Sequence, residues 1–283
     1  MSITDSRTIP IQLVEGSPST TFVAPNKFIL RLPNTGFRTG KDEVALKSLS
    51  LQYSWPNISA AKGNNQMSYI WGGVTFPVIF GTGMWQFATM QEYLETVMVK
   101  NNHYLVDQNG LKRFYIQWVV NPVLYCLSLT VTPVPAALPA GWTNPAAVVL
   151  SGLTPQLVIP ASLTRLTGFP AASYPAAPQA SVYQTNSGIP QITDVSIINI
   201  TSNIVTGSGL SLYPNVLNAF SVPSTQVQGT PIQIEPFNLD WMPVQPQMTF
   251  TGIEIAFVNQ IMQPIEIRDP VGFQLTMNVR RRA

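Results

Sequence analysis

Apolar and polar residues alternate over short runs in the last third of the chain. In residues 273–279 every odd position is apolar and every even position is polar, and the same spacing recurs in 253–257 and 265–267. Turn sequences at 258–260 and 268–270 separate these runs. A period of two places one set of side chains on each face of a sheet. Short, evenly spaced runs of this kind predict an antiparallel β-sandwich or barrel.

Further strands are predicted upstream, and together they give about eight or more core strands. Apolar residues also alternate between Val44 and Tyr53, but their phase slips between Leu46 and Leu49, which predicts a β-bulge. Two alternating runs joined by Gly72-Gly73 predict a hairpin. The other predicted strands are 28–32, 66–71, 74–80, 112–120, 123–131, 195–200, 217–222 and 230–234.

One short helix is predicted inside this all-β chain. Thr89 is a favourable N-cap, and Glu92 three residues later completes the pattern of a capping box. The apolar residues that follow are spaced to form one stripe on a helix surface. They are Met90, Tyr93, Leu94, Val97 and Met98.

Composition divides the chain into an N-terminal arm and one larger domain. Residues 1–25 are polar and contain three prolines, which predicts an extended arm that orders on binding. Residues 26–283 are assigned to a single domain with an insertion at about 132–190. This insertion is rich in Pro and Ala, keeps neither strand nor helix periodicity, and has Arg165 as its only charge. We expect it to pack irregularly on the outside of the sandwich or against a neighbouring subunit.

The chain has few charges for its size. Charged residues make up 10% of its 283 residues and apolar residues 45%, whereas an average soluble protein is about 25% charged. A monomer with so few charges would have an association-prone surface, so we expect much of the surface to contact other subunits. The net charge of +2 is too small to indicate binding to a specific nucleic acid or to an anionic membrane.

Five residues are candidates for such an interface, because Trp and Arg are enriched in interface cores. Each tryptophan is equally well explained as a cap on an open end of its own sandwich. The arginines form a basic cluster that would contact a packaged genome or a neighbour's carboxylates, or would remain a solvated tail. The candidates are Trp55, Trp241, Arg280, Arg281 and Arg282.

Residue types that carry catalysis are scarce. His103 is the only histidine and Cys126 the only cysteine, so any site that needs two histidines is excluded. Neither a nucleotide-binding loop nor a nucleophile elbow occurs. We therefore predict no catalytic, cofactor-binding or metal-binding residue, and we expect that the protein is not an enzyme. His103 follows the predicted helix, where the helix dipole would favour a protonated imidazole. The sequence shows neither an apolar signal core nor an apolar run of membrane-spanning length, so we expect no secretion signal and no membrane span.

Four segments, in this order along the chain, carry a family resemblance. They are the strand with an aromatic exit at 45–58, the capped helix that runs into 102–107, the segment 202–223, and the tail at 258–270. Most of residues 27–282 thereby resembles the penton, or minor capsid, proteins of virophages and Polinton/Maverick-type DNA viruses.

This resemblance implies a single jelly roll, five copies of which would close the fivefold vertex of an icosahedral capsid. It implies a virion location after synthesis in a host cell, and contacts with the trimeric double-jelly-roll major capsid protein. It leaves contacts with other minor capsid proteins open, and it carries over no catalytic residue or cofactor.

Two other readings belong to different functional classes. A jelly-roll carbohydrate-binding or host-attachment module would stack a sugar on an exposed aromatic ring beside hydrogen-bonding groups, for which Trp241 next to Asp240 is the best candidate. A metal-dependent cupin enzyme is the third reading, and it is disfavoured because such sites need several histidines. The oligomeric state of the purified protein separates these readings best.

Overall fold

Two compact units make up the computed structural model. The residues it describes are 9–14, 17–18, 20–31, 42–145, 147–193, 195–206, 215–222, 226, 229–245, 252–270 and 272–281. Unit 1 comprises residues 1–55 together with 195–283, and unit 2 comprises residues 56–194. Unit 2 is therefore an insertion into the sequence of unit 1.

Strands dominate both units. In chain order the described strands are β1 Ile9–Val14, β2 Thr20–Ala24, β3 Lys27–Arg31, β4 Asp42–Gln52, β5 Gln66–Trp71, β6 Val74–Ile79, β7 Leu105–Val106, β8 Lys112–Arg113, β9 Ile116–Asn121, β10 Cys126–Val131, β11 Gln156–Ile159, β12 Ala172–Tyr174, β13 Tyr183–Asn186, β14 Ile197–Ser202, β15 Val216–Ser221, β16 Pro231–Ile234, β17 Met242–Pro243, β18 Gly252–Asn259 and β19 Gln274–Arg281. The helices are α1 Phe87–Lys100, α2 Thr164–Thr167 and a 3₁₀ turn, Ala161–Leu163.

Unit 1 contains two antiparallel sheets. One has the strand order β1-β19-β4-β16, with β17 also paired to β4, and the other has the order β15-β14-β18-β3-β2. Eight of these strands can be numbered 1 to 8 along the chain: β1, β3, β4, β14, β15, β16, β18 and β19. In this numbering, strand 1 pairs with 8, 2 with 7, 3 with 6, and 4 with 5. The sheet orders become 1-8-3-6 and 2-7-4-5, which is the double Greek key of a jelly roll. The predicted all-β single jelly roll is confirmed, and unit 2 is inserted between its third and fourth strands.

Aromatic rings from both sheets form the centre of this sandwich. Phe28 in β3 stacks on Phe273, which directly precedes β19, with ring centroids 3.9 Å apart and planes at 12°. Phe257 in β18 meets both rings edge-on, at 6.0 and 5.8 Å. All three side chains are at most 1% exposed. Stacked and edge-to-face aromatic pairs contribute beyond the area that they bury, so this trio ties the two sheets together.

The alternation in the last strand is confirmed on its apolar face. The odd residues from 273 to 279 are between 0% and 8% exposed. The polar residues Thr276 and Asn278 are also buried, at 5% and 8%, because β19 lies between β1 and β4 and has neighbours on both sides. The predicted run at 265–267 does not form a strand, although Ile265 and Ile267 are buried at 3% and 2%.

The bulge predicted in the second strand is confirmed. Thr276 lies opposite Ser48, whereas the next residue, Met277, lies opposite Leu46. Lys47 is therefore left without a partner on β19, and its side chain is exposed. The extra residue explains the phase slip between the two halves of β4, because each half keeps its apolar side chains inward.

Part of the segment expected to be an extended arm belongs to the jelly roll. Residues 9–14 pair with β19 as β1, and residues 20–24 pair with β3 as β2. Their backbone groups thus complete a sheet in each case. Residues 1–8 lie outside the described residues.

Unit 2 has its own hydrophobic core. Its sheets are four-stranded (β12-β11-β5-β6), three-stranded (β13-β10-β9) and two-stranded (β7-β8). The predicted hairpin is confirmed: β5 and β6 are joined by Gly72 and Gly73, whose φ angles of 58° and 82° suit the twist of a two-residue hairpin turn. Fully buried core residues include Tyr69, Leu94 and Leu129.

The helix α1 is confirmed, but its N-cap prediction is wrong. The helix begins at Phe87 with Gln86 as N-cap, and the Gln86 backbone N–H donates to Oγ1 of Thr89 at 3.1 Å. Thr89 therefore lies inside the first turn of the helix, where its side chain accepts a hydrogen bond from the N-cap residue. The helix extends towards its N-terminus because Phe87 is itself buried against the core. The buried stripe includes Met90, Leu94 and Met98 as predicted.

The Pro/Ala-rich segment 132–190 contains regular structure. It supplies β11, β12, β13, α2 and the 3₁₀ turn to unit 2. Its apolar residues Leu157, Ile159 and Phe169 are at most 1% exposed. The prolines of this segment do not prevent these short elements from forming. The elements were not predicted from sequence periodicity because each is only three or four residues long.

Candidate interface surfaces

Two of the five predicted interface residues lie in contact within unit 1. The guanidinium carbon of Arg280 is 4.2 Å from the centre of the Trp241 ring. Its Nε and Nη2 also donate to Oε2 of Glu43, at 2.9 and 2.8 Å, from the opposite position on β4. Glu43 is 9% exposed, and a buried carboxylate needs such a partner. The charge of Arg280 is therefore used within its own chain.

The other arginines of the predicted cluster are described only in part. Arg281 lies opposite Asp42 in the pairing of β19 with β4. The side chain of Arg281, and all of Arg282, lie outside the described part of the chain.

Trp55 is not at the accessible surface of this chain. It is 2% exposed, and its ring centre lies 4.4 Å from that of Tyr53. The Trp55 side chain is therefore not accessible to a partner that contacts the surface of unit 1.

Exposed apolar residues occupy the end of β9 and the turn that leads to β10 in unit 2. We call residues 119–125 the hairpin tip. The side chain of Asn121 organises it, because Oδ1 accepts hydrogen bonds from the backbone N–H groups of Val123 and Leu124 at 3.2 and 3.1 Å. The exposed apolar side chains are Val119 (66%), Val120 (50%), Val123 (82%), Leu124 (56%) and Tyr125 (74%).

An uncharged pocket lies elsewhere on unit 2, beside the Gly72-Gly73 turn. We call it the apolar pocket; its volume is about 130 Å³. Trp71, 7% exposed, and Pro155 line its interior, whereas Val149 and Leu153 are 73% and 42% exposed at the surface. None of the described residues that line it is charged, and its polar members are Ser151, Thr154 and Gln156.

Sequence reasoning singled out neither the hairpin tip nor the apolar pocket. The available signal was the charge distribution, because Arg165 is the only charged residue between Arg113 and Asp194. That uncharged stretch is longer than the Pro/Ala-rich segment and includes the tip. Only the fold separates its buried apolar residues from its exposed ones.

His103 lies in an aromatic environment rather than at a solvated helix end. Its ring stacks on Trp71, with centroids 4.7 Å apart and planes at 7°, and its Nδ1 is 2.8 Å from the hydroxyl of Tyr69. Asn101 donates to the same hydroxyl at 2.9 Å. Burial lowers the pKa of His103 from 6.5 to about 4 and raises the pKa of Tyr69 to about 12, although the Asn101 hydrogen bond opposes the second shift. Burial therefore opposes the protonated imidazole that the helix dipole would favour.

Comparison with known proteins finds similarity at the level of solved structures. The chain is similar to the mavirus penton protein, with 10% identity, a TM-score of 0.47, and coverage of 98% of this chain and 99% of that one. It is also similar to a chain in the structure of the Sputnik virophage, with 10% identity, a TM-score of 0.40 and 97% coverage of both chains. No protein-family model matches, and no curated protein matches. The jelly-roll assignment rests on the strand order of unit 1, independently of these similarities.

A cavity of about 310 Å³ on unit 1 is lined mainly by polar residues. The side chains of Asn203 and Glu254 in its lining have partners within the fold. Asn203 donates to Gly252 O at 3.1 Å and accepts from the backbone N–H of Glu254 at 2.8 Å, and the Glu254 carboxylate pairs with Lys27 at 2.7 Å. The described residues that line this cavity include no aromatic ring on which a sugar would stack. At the predicted sugar site, Arg280 already covers part of the Trp241 ring.

Two further findings concern the described residues alone. No three His, Cys, Asp or Glu side chains gather there in a group able to hold a metal ion. No helix within the same ranges combines the length and apolar character needed to cross a membrane.

Proposed function

We propose that the protein is a structural component of an icosahedral virion, a penton that forms homopentamers at the fivefold vertices. The observation that carries the proposal is the 1-8-3-6 and 2-7-4-5 strand order of unit 1. A jelly roll of this order presents two stable sheets and leaves its loops and edges for contacts with neighbours. The four sequence segments that resemble penton proteins support the same role.

Fold alone does not select a function, because jelly rolls also occur in lectins and cupins. The surface of unit 2 supplies the additional argument. Its hairpin tip exposes five large apolar side chains, which is unfavourable for a permanently monomeric protein. A heterologous contact that repeats by one-fifth of a turn closes a ring and covers such surfaces in every copy.

The proposal also names the partner that surrounds the vertex. A homopentamer in a capsid needs contacts with the neighbouring capsomers, and we propose the trimeric double-jelly-roll major capsid protein for this role. In this proposal the protein works by shape and self-complementarity, without catalysis or a cofactor.

The oligomeric state of the purified chain tests the proposal. Light scattering coupled to size exclusion should give a particle of five times the 31.0 kDa chain mass. Negative-stain electron microscopy should show fivefold rings, and co-expression with the major capsid protein should place these rings at the vertices of particles.

A monomer or a trimer at all accessible concentrations, with no incorporation into particles, would overturn the proposal. Glycan binding by such a monomer, lost on Trp241→Ala, would favour the carbohydrate-binding alternative.

A further inference from the structure

We propose that the hairpin tip of one copy inserts into the apolar pocket of the next copy, so that unit 2 provides a repeating contact around the ring. This inference rests on the proposed homopentamer and deepens it by naming the residues that meet. Leu124 is the residue that enters the pocket, and Val149 with Leu153 forms the part of the pocket wall that it contacts first.

The hairpin tip is preorganised for insertion. Asn121 fixes the loop through two hydrogen bonds to its backbone, and the flanking strands β9 and β10 pair along six residues each. A loop held in its bound shape loses little conformational entropy on association. Turn positions facing water are usually Gly, Asn, Asp or Ser, whereas this turn reads Pro122-Val123-Leu124-Tyr125.

The apolar pocket has the size and chemistry to accept one side chain. An apolar cavity of about 150 Å³ accommodates a benzene molecule, so a volume of about 130 Å³ suits a leucine side chain. The ring of Trp71 and the ring of Pro155 offer an apolar interior. The Gly72-Gly73 turn at its border has no side chains to obstruct entry.

Charge distribution favours a second copy of this chain as the occupant. The hairpin tip contains no charged residue, and the described lining of the pocket contains none either. A partner with charged groups would have to desolvate them against an uncharged surface, at a cost that nothing there offsets. A second copy brings the matching uncharged surface, and the tip and pocket of one copy then remain free for two different neighbours.

The exposed area of the hairpin tip sets how much of the subunit interface this contact supplies. Five side chains exposed between 50% and 82% present about 400 Å² of apolar surface at the tip. A stable interface buries about 800 Å² per partner. One tip in one pocket falls short of that area, so this contact is expected to be one part of the interface between neighbouring copies.

Disulfide cross-linking of the full chain tests the inference. In the double variant Leu124→Cys with Leu153→Cys, mild oxidation should link neighbouring copies into a ladder of covalent species that ends at the pentamer. Each single variant should give no such ladder. The native Cys126 is only 5% exposed, so it should not form background cross-links.

A substitution series provides the second measurement. Leu124→Asp and Val149→Asp should each weaken subunit association at least tenfold in sedimentation experiments, because each places a carboxylate in the apolar contact. Ile79→Asp is the matched control, since Ile79 is 54% exposed on β6 at the end of the strand away from the Gly72-Gly73 turn. It should leave association unchanged, and all three variants should retain the wild-type circular dichroism spectrum.

The outcomes separate this inference from the proposed function. A pentamer that gives no ladder in the double variant overturns the tip-and-pocket contact and leaves the penton role standing. Dimers formed by Leu124→Cys alone would show that tips meet tips, which also overturns it. Binding of the tip to neutral phosphatidylcholine vesicles without any cross-link would assign it to a lipid surface instead. A monomer under all conditions overturns both proposals.

Discussion

Acidification is expected to destabilise the protein through His103. Burial beside Trp71 and Tyr69 lowers the pKa of His103 to about 4, compared with 6.5 in an unfolded chain. Between these values the unfolded state binds more protons than the folded state, so the free energy of unfolding rises with pH across this window. Stability is therefore fully present above pH 6.5 and is lost as the pH falls towards 4.

The size of the effect follows from the shift. One pKa unit corresponds to about 1.36 kcal/mol, so the full shift gives a ceiling of about 3 kcal/mol. The ring of His103 is only partly buried, and water that reaches the imidazolium reduces this figure. We expect a loss of about 2 kcal/mol in the free energy of unfolding between pH 7 and pH 4 from this residue.

Two measurements check the reasoning. His103 is the only histidine, so its imidazole resonance in a proton NMR titration is unambiguous and should give a pKa well below 6. Urea unfolding at pH 7 and pH 4 should show a larger loss for the wild type than for His103→Gln, which cannot titrate but shares every carboxylate. An NMR pKa near 6.5, or equal pH dependence of the two proteins, would refute the burial argument.

Two further predictions concern the cores of the two units. Met277→Asp should abolish soluble expression, because Met277 is 0% exposed in β19 and an unpaired buried carboxylate costs several kcal/mol; Gln274→Asp, at an exposed position of the same strand, should stay soluble and melt normally. Gly168→Ala should cost more than about 2 kcal/mol in urea unfolding, since φ is 76° and the added Cβ would lie 2.5 Å from the carbonyl oxygen of Gly188. Gly110→Ala has a similar φ of 79° with open space around it and should cost only about 1 kcal/mol; equal losses for the two alanine variants would contradict the steric argument.

Local patterns in the sequence predicted many of the strands and one hairpin, but not the pairing of strands that are distant in the sequence. The phase slip in β4 predicted its bulge, because a bulge is a property of a few neighbouring residues. The pairing of β1 with β19 joins opposite ends of the chain, and no local pattern encodes it. The jelly roll was available from the sequence only through family resemblance.

The boundary between the two units was hidden for a similar reason. The Pro/Ala-rich composition drew attention to 132–190, whereas the inserted unit runs from 56 to 194. The strands β5 and β6 have the same alternation as jelly-roll strands. β5 pairs with β6 and with β11, which comes from the Pro/Ala-rich segment, so only the pairing assigns β5 and β6 to unit 2.

Candidate interface residues are the hardest to choose from sequence, because accessibility depends on tertiary contacts. Trp55 was chosen by residue type, yet it is 2% exposed. Arg280 was chosen for its place in a basic cluster, yet its partner Glu43 lies 237 positions away in the sequence. Both assignments needed information that residue type and spacing do not contain.

The low content of charged residues has two explanations, a large apolar core or apolar contacts between molecules. The hairpin tip distinguishes between them. A large apolar core would account for buried residues such as Leu127 and Leu129, both 0% exposed. It does not account for Val123 and Leu124, which are more than half exposed on a turn that Asn121 holds in place. Apolar residues in such a position stabilise neither the core nor the turn, and in water they favour association. The contact that covers them is therefore expected to lie between molecules, and exchanging Leu124 for a charged residue should alter assembly while leaving the fold unchanged.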